Sequence, residues 1–93
     1  MEKGLYPNPF SEVLHVFFLL RVDARVSLAI YDVAGEPLYH LEIQGRAGKN
    51  VMDWAGVNAA GGRCASGVYV LRVSAQGADG SQDGFWDKAV AVR

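Results

Sequence analysis

Asp79-Gly80-Ser81-Gln82-Asp83-Gly84 sets two carboxylates around a hydroxyl and a glycine, the pattern with which a calcium loop begins. An EF-hand loop closes with a bidentate carboxylate at its twelfth position. Here that position is Val90, inside an apolar run, so an EF-hand is excluded. A looser oxygen-ligand site or a plain polar turn remains, and Asp, Gly and Ser are natural turn residues. His15 and His40 fall in separate strand-like segments with no third ligand near either, which reads as surface or hydrogen-bonded histidines. One cysteine, Cys64, with two histidines can build neither an internal disulfide nor a zinc site. It reads as a small buried apolar residue, with an interchain disulfide or a reactive thiol as the alternative.

Ser66 lacks the G-x-S-x-G elbow of a nucleophilic serine. Asp32, Glu36, Asp53 and Asp83 could supply paired carboxylates for glycosidase chemistry, but none sits among evident partners. No glycine-rich phosphate loop opens a helix. The expectation is no catalytic residue, no cofactor and no metal. Two tryptophans suggest stacking on sugar rings. Trp86 follows Phe85, so in a strand one of the pair faces outward. A glycan- or calcium-binding module would require Trp86 and the Asp79–Asp83 turn to converge on one surface.

The elements that would position these residues fit a single domain of 93 residues, 51% apolar and 20% charged. The longest purely apolar stretch, Val16 to Leu20, is far short of the ~20 residues of a bilayer helix. Nine Lys and Arg against ten Asp and Glu leave a net charge of −1, without the basic footprint of a nucleic-acid binder or a polybasic membrane anchor. Met1-Glu2-Lys3-Gly4 has no apolar signal-peptide core.

Period-2 patterning dominates. Val26, Leu28 and Ile30 alternate with Ser27, Ala29 and Tyr31, and Asp32 to Pro37 makes a turn in which Gly35 takes positive φ. Leu38 to Ile43 is the partner, so residues 25–44 form a hairpin. Residues 12–20, Val51–Trp54, Ser66–Gln76 and Phe85–Arg93 are further strands. Residues 55–65 form a glycine-rich loop, and Gly77–Gly84 a polar turn. No window shows helical apolar spacing. Short strands with glycine turns predict an all-β immunoglobulin/fibronectin-III-like antiparallel β-sandwich of about seven strands over residues 1–93.

Several segments carry a family resemblance. Tyr6-Pro7-Asn8-Pro9-Phe10 resembles a YPNPF opening, and Val26–Gly35 a V-x-L-x-I-Y-D-x-x-G hairpin containing Tyr31, Asp32 and Gly35. Ala47-Gly48 through Trp54, then Gly62 through Ser66, Gly67 and Tyr69, are similar to A-G-x-x-x-x-x-W and G-x-x-x-S-G-V-Y stretches. The Lys88–Arg93 end resembles a K-x-V-x-x-R/K terminus. Together these resemble the immunoglobulin-like module of flagellar hook-capping proteins, closely similar to the C-terminal sorting domain of type IX secretion cargo. The resemblance implies a non-catalytic C-terminal module of a larger secreted or cell-surface bacterial protein, serving sorting, anchoring or assembly. Its partners would be proteins, with neither nucleic-acid binding nor membrane insertion. Trp54 would lie in the core, Gly67 would avoid a Cβ clash, and Tyr69 would anchor the core with its hydroxyl at a rim. The chain departs from the pattern at Ala55, where the family usually has aspartate, and at Cys64, where valine is common.

A third departure concerns surface. Val16, Phe18 and Leu20 hold inward positions, yet Phe17 and Leu19 between them are apolar too, with Val13 further back. Val68 and Val70 add apolar side chains opposite Tyr69, Leu71 and Val73. A half-exposed strand should alternate apolar with polar residues. Val13, Phe17, Leu19, Val68 and Val70 are therefore the candidate interaction face. Either loops cover it, or it packs against a neighbouring domain or another copy of the chain. In the second case the chain is a self-associating structural subunit of a filament or hook-cap-like scaffold.

Overall fold

The period-2 pattern becomes seven antiparallel strands in a computed structural model that describes residues 2–93. They are β1 (Lys3–Tyr6), β2 (Leu14–Leu20), β3 (Ala24–Tyr31), β4 (Pro37–Gly45), β5 (Gly48–Trp54), β6 (Gly67–Gly77) and β7 (Gln82–Ala91). One sheet has three strands in the order β1-β2-β5, the other four in the order β4-β3-β6-β7. No described residue is helical, and the fold is the expected all-β sandwich. Boundaries shift modestly. β2 starts at Leu14 rather than residue 12, β5 already starts at Gly48, and β7 starts at Gln82 rather than Phe85. The last turn therefore shrinks to residues 78–81, because Gln82 pairs with Gln76 and Asp83 with Ala75.

The core is the inner set of each alternating strand. Leu14, Val16 and Phe18 from β2 and Met52 and Trp54 from β5 face Val26, Leu28 and Ile30 from β3 and Tyr69, Leu71 and Val73 from β6. Leu41 and Ile43 of β4 pack on this cluster from the edge. No buried side chain is polar or charged among the described residues.

The N-terminal segment belongs to both sheets. β1 pairs with β2, with Tyr6 opposite His15. The chain then passes through two cis peptide bonds, Tyr6-Pro7 and Asn8-Pro9, and reaches the other sheet. There Phe10 makes a parallel bridge to Ala91, its N–H donating to Val90 and its carbonyl accepting from Val92. Both prolines fall where no ladder donor is needed. At the same side Lys3 of β1 reaches across to Asp87 of β7 at 3.6 Å and lies 5.0 Å from the centre of the Phe85 ring.

Adjacent residues of β2 should respond very differently to truncation. Phe18→Ala empties an enclosed site and should cost roughly 3–5 kcal/mol. Leu19→Ala, on the outer side, should change the urea midpoint by less than about 1 kcal/mol equivalent. Equal losses in chemical denaturation would contradict the assigned register.

Candidate interaction faces

The motif residues build a clasp at one end of the sandwich. Asn8 uses both ends of its amide on the edge of β7, its Nδ2 donating to the Lys88 carbonyl at 3.1 Å and its Oδ1 accepting from Val90 N–H at 2.9 Å. Lys88 thus takes part through its backbone. Phe10 is buried against Trp54 with ring centres 5.6 Å apart, and Trp54 meets Tyr69 edge-on at 5.5 Å. Trp54 Nε1 donates to the Val57 carbonyl, and the Tyr69 hydroxyl donates to the Ala65 carbonyl. Arg93 closes the end. Its guanidinium donates to the carbonyls of Ser11 and Gly56, both at 2.7 Å, and lies 5.7 Å from the Phe10 ring centre.

Asp32 and Gly35 shape the β3–β4 turn. Asp32 Oδ1 accepts from the N–H groups of Ala34 and Glu36, and Gly35 has φ 87°. Tyr31 is half-buried and packs against Trp86 at 6.0 Å. Gly67 corrects one expectation. A Cβ there would meet nothing within 4 Å, so a clash is not what selects glycine; its φ of 156° is the operative constraint.

The candidate face also needs correction. Phe17 and Leu19 lie on the three-stranded sheet, whereas Val68 and Val70 lie on β6 of the other, so the two pairs project from opposite sides of the sandwich. Val13 sits half-buried just before β2. The outer side of the three-stranded sheet instead recruits Tyr6 and Val51. Phe17 pairs with Gly4 on one side and Val51 on the other. Its ring lies over Gly4, where a Cβ would come within 2.4 Å of ring carbons. Tyr6 stands 5.7 Å from Phe17 and 5.0 Å from His15. Tyr6 is 45% exposed, Val51 45% and Leu19 39%, so the patch remains open to solvent despite these contacts. Covering about 50 Å² more on each, at ~25 cal/mol/Å², contributes on the order of 1 kcal/mol per residue. Val68, 41% exposed, and half-buried Val70 form a smaller strip beside Val90 and Lys88.

The groups considered for chemistry are dispersed. His15 is hydrogen-bonded to Asp53, Nδ1 to Oδ1 at 2.7 Å, a pairing that follows from the β2–β5 register. His40 is exposed on β4 in the other sheet. Ser66 Oγ accepts the Arg93 N–H. Asp79 Oδ1 accepts from the hydroxyl and the N–H of Ser81, and these bonds hold its carboxyl below the usual range. Among the described residues no three His, Cys, Asp or Glu side chains are grouped so as to hold a metal ion. Trp54 is enclosed, while Trp86 points outward at 58% exposure and Phe85 packs against the core.

Cys64 is a free thiol, half-buried against the core and Tyr69's neighbour in charge. Burial raises its pKa above the ordinary 9.0, outweighing nearby Arg93. Burial likewise raises Tyr69 above 10.0. An unfolded chain releases these protons first. Their contribution to stability is therefore complete below pH 9 and is lost as the pH rises through the folded-state values. Urea midpoints should fall between pH 8 and pH 10.5, and Cys64→Ala should flatten the first part of that fall; an unchanged slope would refute the assignment. Asn8→Ala, which frees two backbone groups of β7, should cost roughly 1–3 kcal/mol in the same assay.

The profile of the FlgD Ig-like domain family matches residues 17–79. A search of curated protein sequences gives no match. Among solved structures, dimeric latent PorU from Porphyromonas gingivalis is similar at TM-score 0.81 and 21% identity, over 97% of this chain and 9% of that one. FlgD from Xanthomonas campestris, described as a hook-capping protein essential for flagellar assembly, is similar at 0.72 and 19%, over 95% of this chain and 62% of that one. FlgD from P. aeruginosa gives 0.69 and 20%, over 97% and 69%. The chain thus spans less than a tenth of the PorU chain and under two thirds of the Xanthomonas one. At these identities the structures establish the sandwich, and the profile match over most of the chain establishes the lineage: this is a structural β-sandwich belonging to the FlgD Ig-like domain family.

Proposed function

We propose that this sandwich is a non-catalytic docking module of a longer secreted or cell-surface protein, which it serves in sorting, anchoring or assembly. The observation that carries this reading is the recurrence of the fold, over 97% of its length, as 9% of the PorU chain. A unit of this size is carried by longer chains. The outer side of the three-stranded sheet supports the reading, because Tyr6, Phe17, Leu19 and Val51 present apolar area that nothing in the described chain covers fully. Its partner is a protein surface.

Self-association is the second reading. It is favoured by the outer edge of β5, which pairs with no other strand of the described residues and borders the same patch. Unpaired strand edges are templates for a second chain.

Phe17→Ser/Leu19→Ser should leave the chain folded with a thermal midpoint lowered by on the order of 10 °C, because Leu19 is exposed and Phe17 only half-buried. Light scattering over a wide concentration range then separates the readings. A wild-type monomer supports docking to a different protein, and reversible assembly lost in the double variant supports self-association. In the native host, removing residues 2–93 from the parent should abolish its export or surface attachment. Unaltered export and attachment would refute the sorting and anchoring roles.

A further inference from the structure

The outer side of the four-stranded sheet differs from the apolar patch on the opposite sheet. Register aligns three of the smallest outward residues in one row across the strands: Ser27 of β3 opposite Ser74 of β6, and Ser74 opposite Gly84 of β7. Gly84 has no space for a side chain, since a Cβ would come within 2.6 Å of the Val73 carbonyl. The next row on one side carries Arg72 and Trp86, and the next on the other carries Arg25, Gln76 and Gln82. Large side chains on both flanks of a small-residue row leave an open trough of about 580 Å³ crossing the sheet. That volume is within the range of small-molecule sites.

Its chemistry is specific. Trp86 forms one wall, 58% exposed even with the Arg72 guanidinium 5.3 Å from its ring centre and Tyr31 at 6.0 Å. The floor offers the Ser27 and Ser74 hydroxyls, and the walls offer amides and guanidinium donors. Asp83 lines the β7 end, while Glu42 accepts from Ser27 Oγ at the β4 end and lies 3.9 Å from Arg25. Two cations against two anions give no net field for a polyanion such as nucleic acid. Across the floor a peptide strand finds no backbone partners, because β3 and β6 are each paired on both sides, and the free edge of β7 lies at the rim of the trough. An exposed indole beside closely spaced donors and acceptors suits the apolar ring face and hydroxyl edge of a hexose.

We infer that this trough is a binding site for a neutral oligosaccharide, stacked on Trp86 and hydrogen-bonded along the Ser27–Ser74 row. Of the expected turn residues, Asp83 lines the trough with Trp86, whereas Asp79 is committed to Ser81. The inference is independent of the docking proposal, which uses the opposite sheet.

The test is titration of the ¹⁵N-labelled chain with linear hexose hexamers at millimolar concentration, using β1,4-glucan, β1,4-linked N-acetylglucosamine and α1,6-glucan in parallel. At least one should shift the Trp86 indole and the Ser74 and Gly84 amides, leaving the enclosed Trp54 indole unmoved. Trp86→Ala removes the platform at an exposed position, and Ser74→Tyr fills the trough from a half-buried, outward-facing one. Each should weaken binding by at least ~10-fold. Phe17→Ser/Leu19→Ser should bind like the wild type, which keeps failure here distinct from failure of the docking proposal. Absence of shifts with all three glycans, or retained affinity in either trough variant, would overturn the inference.

Discussion

Trp54 is the constraint on which the two sheets and the ends of the described chain depend. A buried indole has to satisfy its N–H, and Trp54, at the end of β5, does so on the Val57 carbonyl in the following loop. That loop is consequently ordered despite its glycines. Asn58 binds back to Ala60 and Gly62 through its side chain, and Cys64 N–H donates to Gly56. The flanks of the indole are closed by Phe10, from the segment that crosses between sheets, and by Tyr69, from the other sheet. Arg93 then covers Phe10 and ties the Gly56 carbonyl to Ser11. Sequence positions more than 80 residues apart meet around this one ring.

The inward half of the fold was legible because a period of two is a local property. Val16 and Phe18, or Val26, Leu28 and Ile30, declare their side without reference to any partner. What a single strand does not declare is its neighbours. Nothing local in Phe17 indicates that β1 supplies Gly4 beneath it, that β5 supplies Val51 beside it, or that β6 belongs to the other sheet. Grouping Val68 and Val70 with Phe17 and Leu19 failed for that reason. Tyr6 and Val51 went unrecognised as part of the patch on the same grounds. Gly67 was correctly located but for the wrong cause, because backbone dihedral and steric space both select glycine and leave the same letter in the sequence. The Ser27–Ser74–Gly84 row was equally hidden, since its members come from three strands and align only through register.

The two outer sides are built on different physical terms. On the three-stranded sheet, aromatic and aliphatic side chains lie over an edge glycine, giving a surface whose gain on contact is loss of water from apolar area. On the four-stranded sheet, outward positions alternate small polar with long polar or aromatic residues, giving relief and hydrogen-bonding capacity at little apolar cost. The proposed protein contact draws on the first, the proposed oligosaccharide site on the second.

Most of the groups singled out for chemistry are engaged within the fold. The buried polar side-chain atoms of the described residues all have hydrogen-bond partners. Four of the groups singled out are held: Ser66 by Arg93, His15 by Asp53, Asp79 by Ser81, and Cys64 by burial that favours its protonated form. The fold spends its polar groups on turns, caps and the clasp around Trp54. The two outer sides are then set by which residues project from β2 and β5 on one and from β3, β6 and β7 on the other, and both proposals rest on that difference.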